Sequence, residues 1–201
     1  MGTGRPRGFD LDEGLDRAMR VFWRQGYEGA GLADLTEAMG ISRPSLYAAY
    51  GNKEELFRKA VRRYEEGPAR HHEEALSEPT AHAVVARLLR GVVEVTSVPD
   101  GTGPGCMVVQ SALATSAAGA AVREELAERR RQGERRLRER LERARDEGDL
   151  PADRDPELLA RQVCVLSYGL AVQAATGTPR ADLTALVDLT LAAWPPPTTA
   201  S

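Results

Sequence analysis

The chain has 201 residues, a length that suits one compact unit or a small module joined to a larger one, and its 42% hydrophobic and 28% charged residues are ordinary for a globular protein. A formal net charge of −3 excludes nucleic-acid binding by bulk positive charge, though not a local basic surface. The two cysteines, Cys106 and Cys164, cannot make a disulfide framework, and with no unbroken run of about 18 apolar residues no membrane span is expected.

Residues 1–9 are rich in Gly, Pro and Arg and read as a mobile arm carrying Arg5 and Arg7. They lack the apolar stretch of a signal peptide, so a cytoplasmic location is expected. A first helix is predicted from Asp10 to Gln25. Asp10 with Glu13 has the spacing of a capping box, and Leu11, Leu15, Ala18, Met19, Phe22 and Trp23 form an apolar stripe. Gly26 stands where a helix ends in positive φ. A second, short helix runs from Leu32 to Met39 and is ended by Gly40. Ile41 can then fill the corner, and Ser42 can cap a third helix over 43–49, with Pro44 in its first turn. Asn52 and Glu55 form another capping box, opening a fourth helix with Leu56, Phe57, Ala60, Val61 and Tyr64 inward; Gly67 and Pro68 close it.

The second part is also helical. A helix is predicted over 80–98, a loop over 99–104, and a small-sided apolar segment over 105–115. A long helix over 118–147 has Val122, Leu126, Gly133, Leu137, Leu141 and Ala144 as a narrow inner seam; its alternating Arg and Glu read as a solvated, ion-paired face. Asp155-Pro156 starts a helix to Thr176, and the last helix spans 181–194 before a Pro- and Thr-rich tail. The expected fold is all-α, with about nine helices. The last two helices are apolar on more than one face, which favours a four-helix interface between two copies of the chain.

Two short helices joined by a glycine turn are the pattern of a helix-turn-helix, whose second helix enters the DNA major groove. The surface that follows is nearly free of carboxylates: Arg43, Ser45, Tyr47 and Tyr50 project from the third helix, and Lys53 begins the next. Short donors, aromatics and single cations suit phosphates and base edges, and Arg5 and Arg7 suit a narrow minor groove or nearby phosphates.

The stretch from Gly26 to Phe57 resembles the tetracycline-repressor (TetR) family of transcriptional regulators. The resemblance is carried by Gly26-Tyr27, Leu35, Met39-Gly40-Ile41-Ser42, Leu46-Tyr47, Tyr50 and Lys53-Glu54-Glu55-Leu56. Thr36 departs from the Ala usual in the family. Gly31-Leu32 replaces the usual Ser or Thr cap, which predicts a poorly capped second helix. The resemblance implies a DNA-binding helix-turn-helix domain over 1–51, a linking helix over 52–67, and a ligand-binding and dimerisation domain over 68–201. It implies a homodimer on a palindromic double-stranded operator, joined through the two C-terminal helices and released by a small organic molecule. By carry-over, Ser42, Arg43, Ser45, Tyr47, Tyr50 and Lys53 face DNA.

An apolar or weakly polar ligand is expected among the small-sided helices, with Cys106 and Met107 as walls and Gln110, Tyr168 and Gln173 as polar anchors. No basic residue clearly belongs to that region, which speaks against a strongly anionic ligand. No metal site is expected: the adjacent His71 and His72 should point apart on a helix, and the acidic stretch over 146–155 lacks calcium-loop order. Nothing implies a cofactor, and no nucleophile or His–acid pairing suggests an enzyme. The competing readings are a small-molecule-binding helical protein without operator binding and a helical enzyme. Acids on the third helix would favour the first, and convergent titratable groups in the C-terminal half would favour the second.

Overall fold

The computed structural model describes residues 10–97, 105–112 and 119–195, and among these it contains ten α-helices and no strand. They are α1 (Leu11–Gly29), α2 (Leu32–Met39), α3 (Arg43–Tyr50), α4 (Lys53–Glu66), α5 (His71–Leu76), α6 (Ala81–Thr96), α7 (Met107–Ala112), α8 (Ala120–Asp146), α9 (Pro156–Ala175) and α10 (Arg180–Ala192). Arg5, Arg7 and the loop over 99–104 lie outside the described residues.

The apolar residues fall into two clusters. The first joins Ala18, Phe22, Leu35, Leu46, Leu56, Phe57 and Tyr64 of α1–α4, and extends to Met107 of α7 and to Val122 and Leu126 of α8. The second is built from α5, α6, the C-terminal half of α8, α9 and α10. Helix α8 is thus the strut shared by both. Its seam of Val122, Leu126, Leu137, Leu141 and Ala144 is buried, whereas Gly133 is exposed. Its other faces carry the expected ion pairs, such as Arg131 with Glu124 and Glu128 and Arg135 with Glu128.

Helix ends follow local chemistry, with differences. Asn52 and Glu55 satisfy each other's backbone N–H groups, at 2.9 and 2.8 Å. Asp10 accepts from the N–H groups of Asp12 and Glu13, but the Glu13 carboxylate pairs with Arg17 at 2.5 Å instead of reaching back, so only half of that capping box forms. Gly26 has φ 69°, and the helical turn beyond it runs on to Gly29 as a kinked continuation of α1. Helix α2 has no side-chain cap from Gly31, as its Gly31-Leu32 start predicts, though Asp34 Oδ2 accepts from the Gly31 N–H at 3.0 Å. The acidic stretch is more than a solvated loop. Asp149 reaches across to accept from the N–H of Ala81 at 2.5 Å and helps to cap α6.

The short α5 is not evident in the sequence. Its His71 is buried and packs closely against α6 at Gly91, where a Cβ would stand 2.4 Å from the imidazole. The His71 and His72 rings do not point apart. Their centroids are 4.1 Å from each other, because side-chain rotation, which helical spacing does not specify, closes the gap.

On the outside of the C-terminal bundle, α9 and α10 expose Leu158, Val165, Val172, Leu186 and Leu189, with Leu189 69% accessible. A continuous apolar face on two adjacent helices is unusual for a monomer.

Candidate DNA-reading surface and interhelical cavity

The turn between α2 and α3 closes on itself. Gly40 adopts φ 67° and ψ 32°, its N–H bonds the carbonyl of Glu37, and the N–H of Ile41 bonds that of Thr36. Only glycine takes this conformation without a steric cost. Ser42 then caps α3, its Oγ accepting from the Ser45 N–H at 3.3 Å and lying 2.9 Å from Ser45 Oγ. Leu46 and Tyr50 point into the core, which fixes the opposite face outward. Arg43 and Tyr47 are exposed there, Tyr47 by 48%, and Arg43 is the one charged residue of the eight in α3.

Two of the residues expected on this surface are placed differently. Tyr50 is only 4% accessible, and its hydroxyl donates to the Leu11 carbonyl at 2.7 Å. It ties α3 to the start of α1 and does not project outward. On a two-turn helix, positions 47 and 50 are close in angle, and the arrival of α1 decides which one is covered. Lys53 is half-buried, with Nζ 4.7 Å from the centroid of the Tyr27 ring, and burial holds its ammonium below the usual lysine range. Tyr27 is therefore part of the platform, a role the sequence hides because Gly26-Tyr27 reads as a helix end. Lys59 Nζ donates to the Tyr50 carbonyl at 2.9 Å and fixes the end of α3 to α4.

A second feature lies behind this surface. A cavity of about 320 Å³ opens between α4, α5, α6, α7, α8 and α9. Tyr64, Cys106, Val108, Leu88 and Leu137 supply wall, and Cys164, Ser167 and Tyr168 close one end. Of the residues expected around a ligand, Cys106 and Tyr168 line this cavity. The other expected wall residue, Met107, and the expected anchors Gln110 and Gln173 do not line it. Met107 is fully buried in the N-terminal core, because α7 turns its first residue toward α1 and α4. Gln110 packs beside Gly105, its amide 2.6 Å from where a Cβ of that residue would be. Gln173 is exposed near the end of α9 and accepts from the Thr178 hydroxyl at 2.8 Å.

The cavity is also more highly charged than expected. Arg129, Arg130 and Arg136 of α8 line it, with Glu65, Glu73 and Glu134. Gly133 leaves room in the middle of this face, and arginines three or four residues to either side of it turn inward. In the sequence they merge with the solvated Arg/Glu pattern. Arg129 pairs with Glu65 at 2.6 Å and with Glu125 at 3.1 Å, and Arg136 pairs with Glu73. Burial outweighs the Arg129 pairing and leaves the Glu65 carboxyl above its ordinary value. Burial likewise pushes the Cys164 thiol up to about 11 and raises the Tyr64 and Tyr168 phenols, so all three stay protonated at neutral pH. A protonated thiol is a poor nucleophile.

Comparison with known proteins agrees with this layout. Residues 15–60 match the model of bacterial regulatory proteins of the tetR family, and residues 82–186 match a tetracyclin repressor-like C-terminal domain. The chain is 33% identical over 194 residues to the HTH-type transcriptional repressor ComR of Escherichia coli, covering 96% of this chain and 92% of that one. It is 33% identical over 160 residues to the HTH-type transcriptional regulator YezE of Bacillus subtilis, covering 79% and 82%. A cysteine-substituted form of the TetR family regulator CifR, solved with a 26-bp double-strand operator DNA, superposes with a TM-score of 0.89 at 47% identity, over 96% of this chain and all of that one.

Proposed function

Because the chain belongs to the tetR family of bacterial regulatory proteins, and so is a DNA-binding transcriptional regulator and not an enzyme, we propose that it works as a homodimeric repressor on a palindromic operator. Two copies of α3 enter successive major grooves about one helical turn apart. Arg43 and Ser45 read base edges. Tyr47 and the N-terminus of α4 at Lys53 hold phosphates, and Arg5 and Arg7 extend the contact along the duplex. Ser42 acts mainly by capping α3, since its hydroxyl already accepts from the Ser45 N–H. The observation that carries the reading is the exposed, acid-free face of Arg43 and Tyr47, held rigidly by the Gly40 turn and the Ser42 cap.

The apolar face of α9 and α10 supports dimerisation, since Leu158, Val165 and Leu189 stay exposed among the described residues. The cavity takes a small organic molecule, and its occupancy releases the operator. Tyr64 supports this link: it ends the α4 that begins beside α3, and it forms part of the cavity wall. The protein acts in the cytoplasm, where its DNA lies.

Selection of bound sequences from random duplexes by the full-length protein tests the proposal. A palindromic consensus with half-sites one turn apart is expected, and recovery of no consensus at moderate salt would exclude operator binding.

A further inference from the structure

We infer that the cavity recognises a small organic acid, a single carboxylate on an apolar body, with Arg130 as the group that meets its charge. This rests on the effector reading given above and specifies its ligand. The observation is one of unmatched charge. Of the three arginines on the wall, Arg129 and Arg136 are held by Glu65, Glu125 and Glu73. The third wall carboxylate, Glu134, is engaged by Arg161 of α9 at 3.1 Å. Arg130 alone of these wall groups has no ion pair among the described residues, and its Nη1 is shielded from solvent with no hydrogen-bond partner. A guanidinium nitrogen left without an acceptor away from water is costly, and a bound anion removes that cost.

The surroundings select the kind of anion. Tyr168, on the same wall as Arg130, is kept protonated by burial and hydrogen-bonds with the Cys164 sulfur, so it brings no negative charge of its own. One unpaired guanidinium balances one carboxylate, and its planar fork matches that group bidentately. A doubly charged phosphate would need a second free cation, but Arg129 and Arg136 are already committed. A cationic ligand would meet Arg130 directly. The rest of the wall, Leu76, Leu88, Val108 and Leu137, is apolar and suits an alkyl or aryl body.

The test uses the full-length protein and matched pairs of probes: hexanoate with hexanamide, benzoate with benzamide, and 4-phenylbutyrate with 4-phenylbutanamide. Binding is read by calorimetric titration and by the rise in melting temperature. At least one carboxylate should bind at millimolar concentration or below, and its amide should bind roughly tenfold more weakly or worse. Arg130→Gln should lose roughly tenfold or more in carboxylate affinity while its circular dichroism stays unchanged, and Arg130→Lys should recover part of the loss. Binding of amides as tightly as acids, wild-type carboxylate affinity in Arg130→Gln, or no binding by any of the three acids would overturn the inference. These titrations need no DNA, so they stand apart from the operator selection. Release of operator by an amide but not by its acid would sink the inference and leave the effector reading in place.

Discussion

The indole N–H of Trp23, on α1, donates to the carbonyl of Gly105 at 2.6 Å, joining residues 82 positions apart in the chain. The Trp23 ring also meets Tyr64 edge-on, with centroids 4.9 Å apart. Gly105 has φ 69°, and a Cβ there would stand 2.9 Å from the Ala175 Cβ and 3.0 Å from the Ala171 carbonyl. The helix that supports the DNA-reading pair, the entry to the cavity-lining α7, and α9 therefore meet at one glycine.

Gly105→Ala should destabilise the protein by about 2–3 kcal/mol in urea melts, through strain at positive φ and the crowding against α9. Trp23→Phe, which keeps an aromatic ring and loses the donor, should cost about 1 kcal/mol. Equal melts for wild type and both variants would show that this junction contributes nothing to stability.

The two tyrosines of α3 should behave in opposite ways. Tyr50→Phe removes the hydroxyl bonded to Leu11 and should lower stability by about 1 kcal/mol, with operator affinity unchanged once the protein is folded. Tyr47→Ala should weaken operator binding on every sequence and leave the melting temperature alone. Arg43→Ala should cost about 1–3 kcal/mol of binding and relax preference at particular positions. Fluorescence anisotropy with the selected operator and single-base variants separates these outcomes.

Charge on the exposed face of α9 and α10 should break the dimer. Val165→Glu with Leu189→Glu places two carboxylates on that apolar face. Sedimentation velocity should show wild type as a dimer at micromolar concentration, and the double variant as monomer or aggregate. A dimer that survives both changes would locate the interface elsewhere.

Acid should weaken the fold through His71. Burial, and next the neighbouring His72, hold its imidazole down to about 4, whereas in the unfolded chain it titrates near 6.5. Between these values the unfolded state binds more protons, so stability is fully present above about pH 6.5 and falls as the pH drops towards 4. The loss is about 3 kcal/mol in total. Of the groups nearby, Glu74 is held below the ordinary carboxylate value and Arg87 above the ordinary guanidinium value, whereas His72 is lowered by burial like His71. His72, in ring contact with His71 and also held low by burial, adds to the same loss, so His71→Leu should reduce the fall in the urea midpoint between pH 6.5 and 5 and His71→Leu with His72→Gln should reduce it further; a wild-type slope in His71→Leu would assign the effect to other groups.

What could be read in the sequence was what is decided locally. The Asn52–Glu55 capping box and the Gly40 turn need only residues within four positions, and both form. The burial of Tyr50 depends on α1 arriving from 39 positions away, so α3 alone could not assign its faces. Helix α5 was hidden because HHEEAL carries no apolar period and lies between Pro68 and Pro79. The cavity's charge was hidden for a related reason. Arg129, Arg130 and Arg136 differ from their solvated neighbours only in the side of α8 they occupy, and only the packing of α4 and α9 makes that side an interior.

The close packing of His71 on Gly91 sets an order on change at these two sites. A Cβ at position 91 would stand 2.4 Å from the ring, so no larger residue can enter there while His71 remains. The permissive path begins at position 71 with a smaller side chain, which leaves a void that a methyl group at 91 could then fill. Related chains should therefore hold either the pair His and Gly or a smaller residue with Ala, and the combination of His with Ala should be missing. Helix α6 without that glycine would have to stand further from α5, which would widen the cavity that both helices wall.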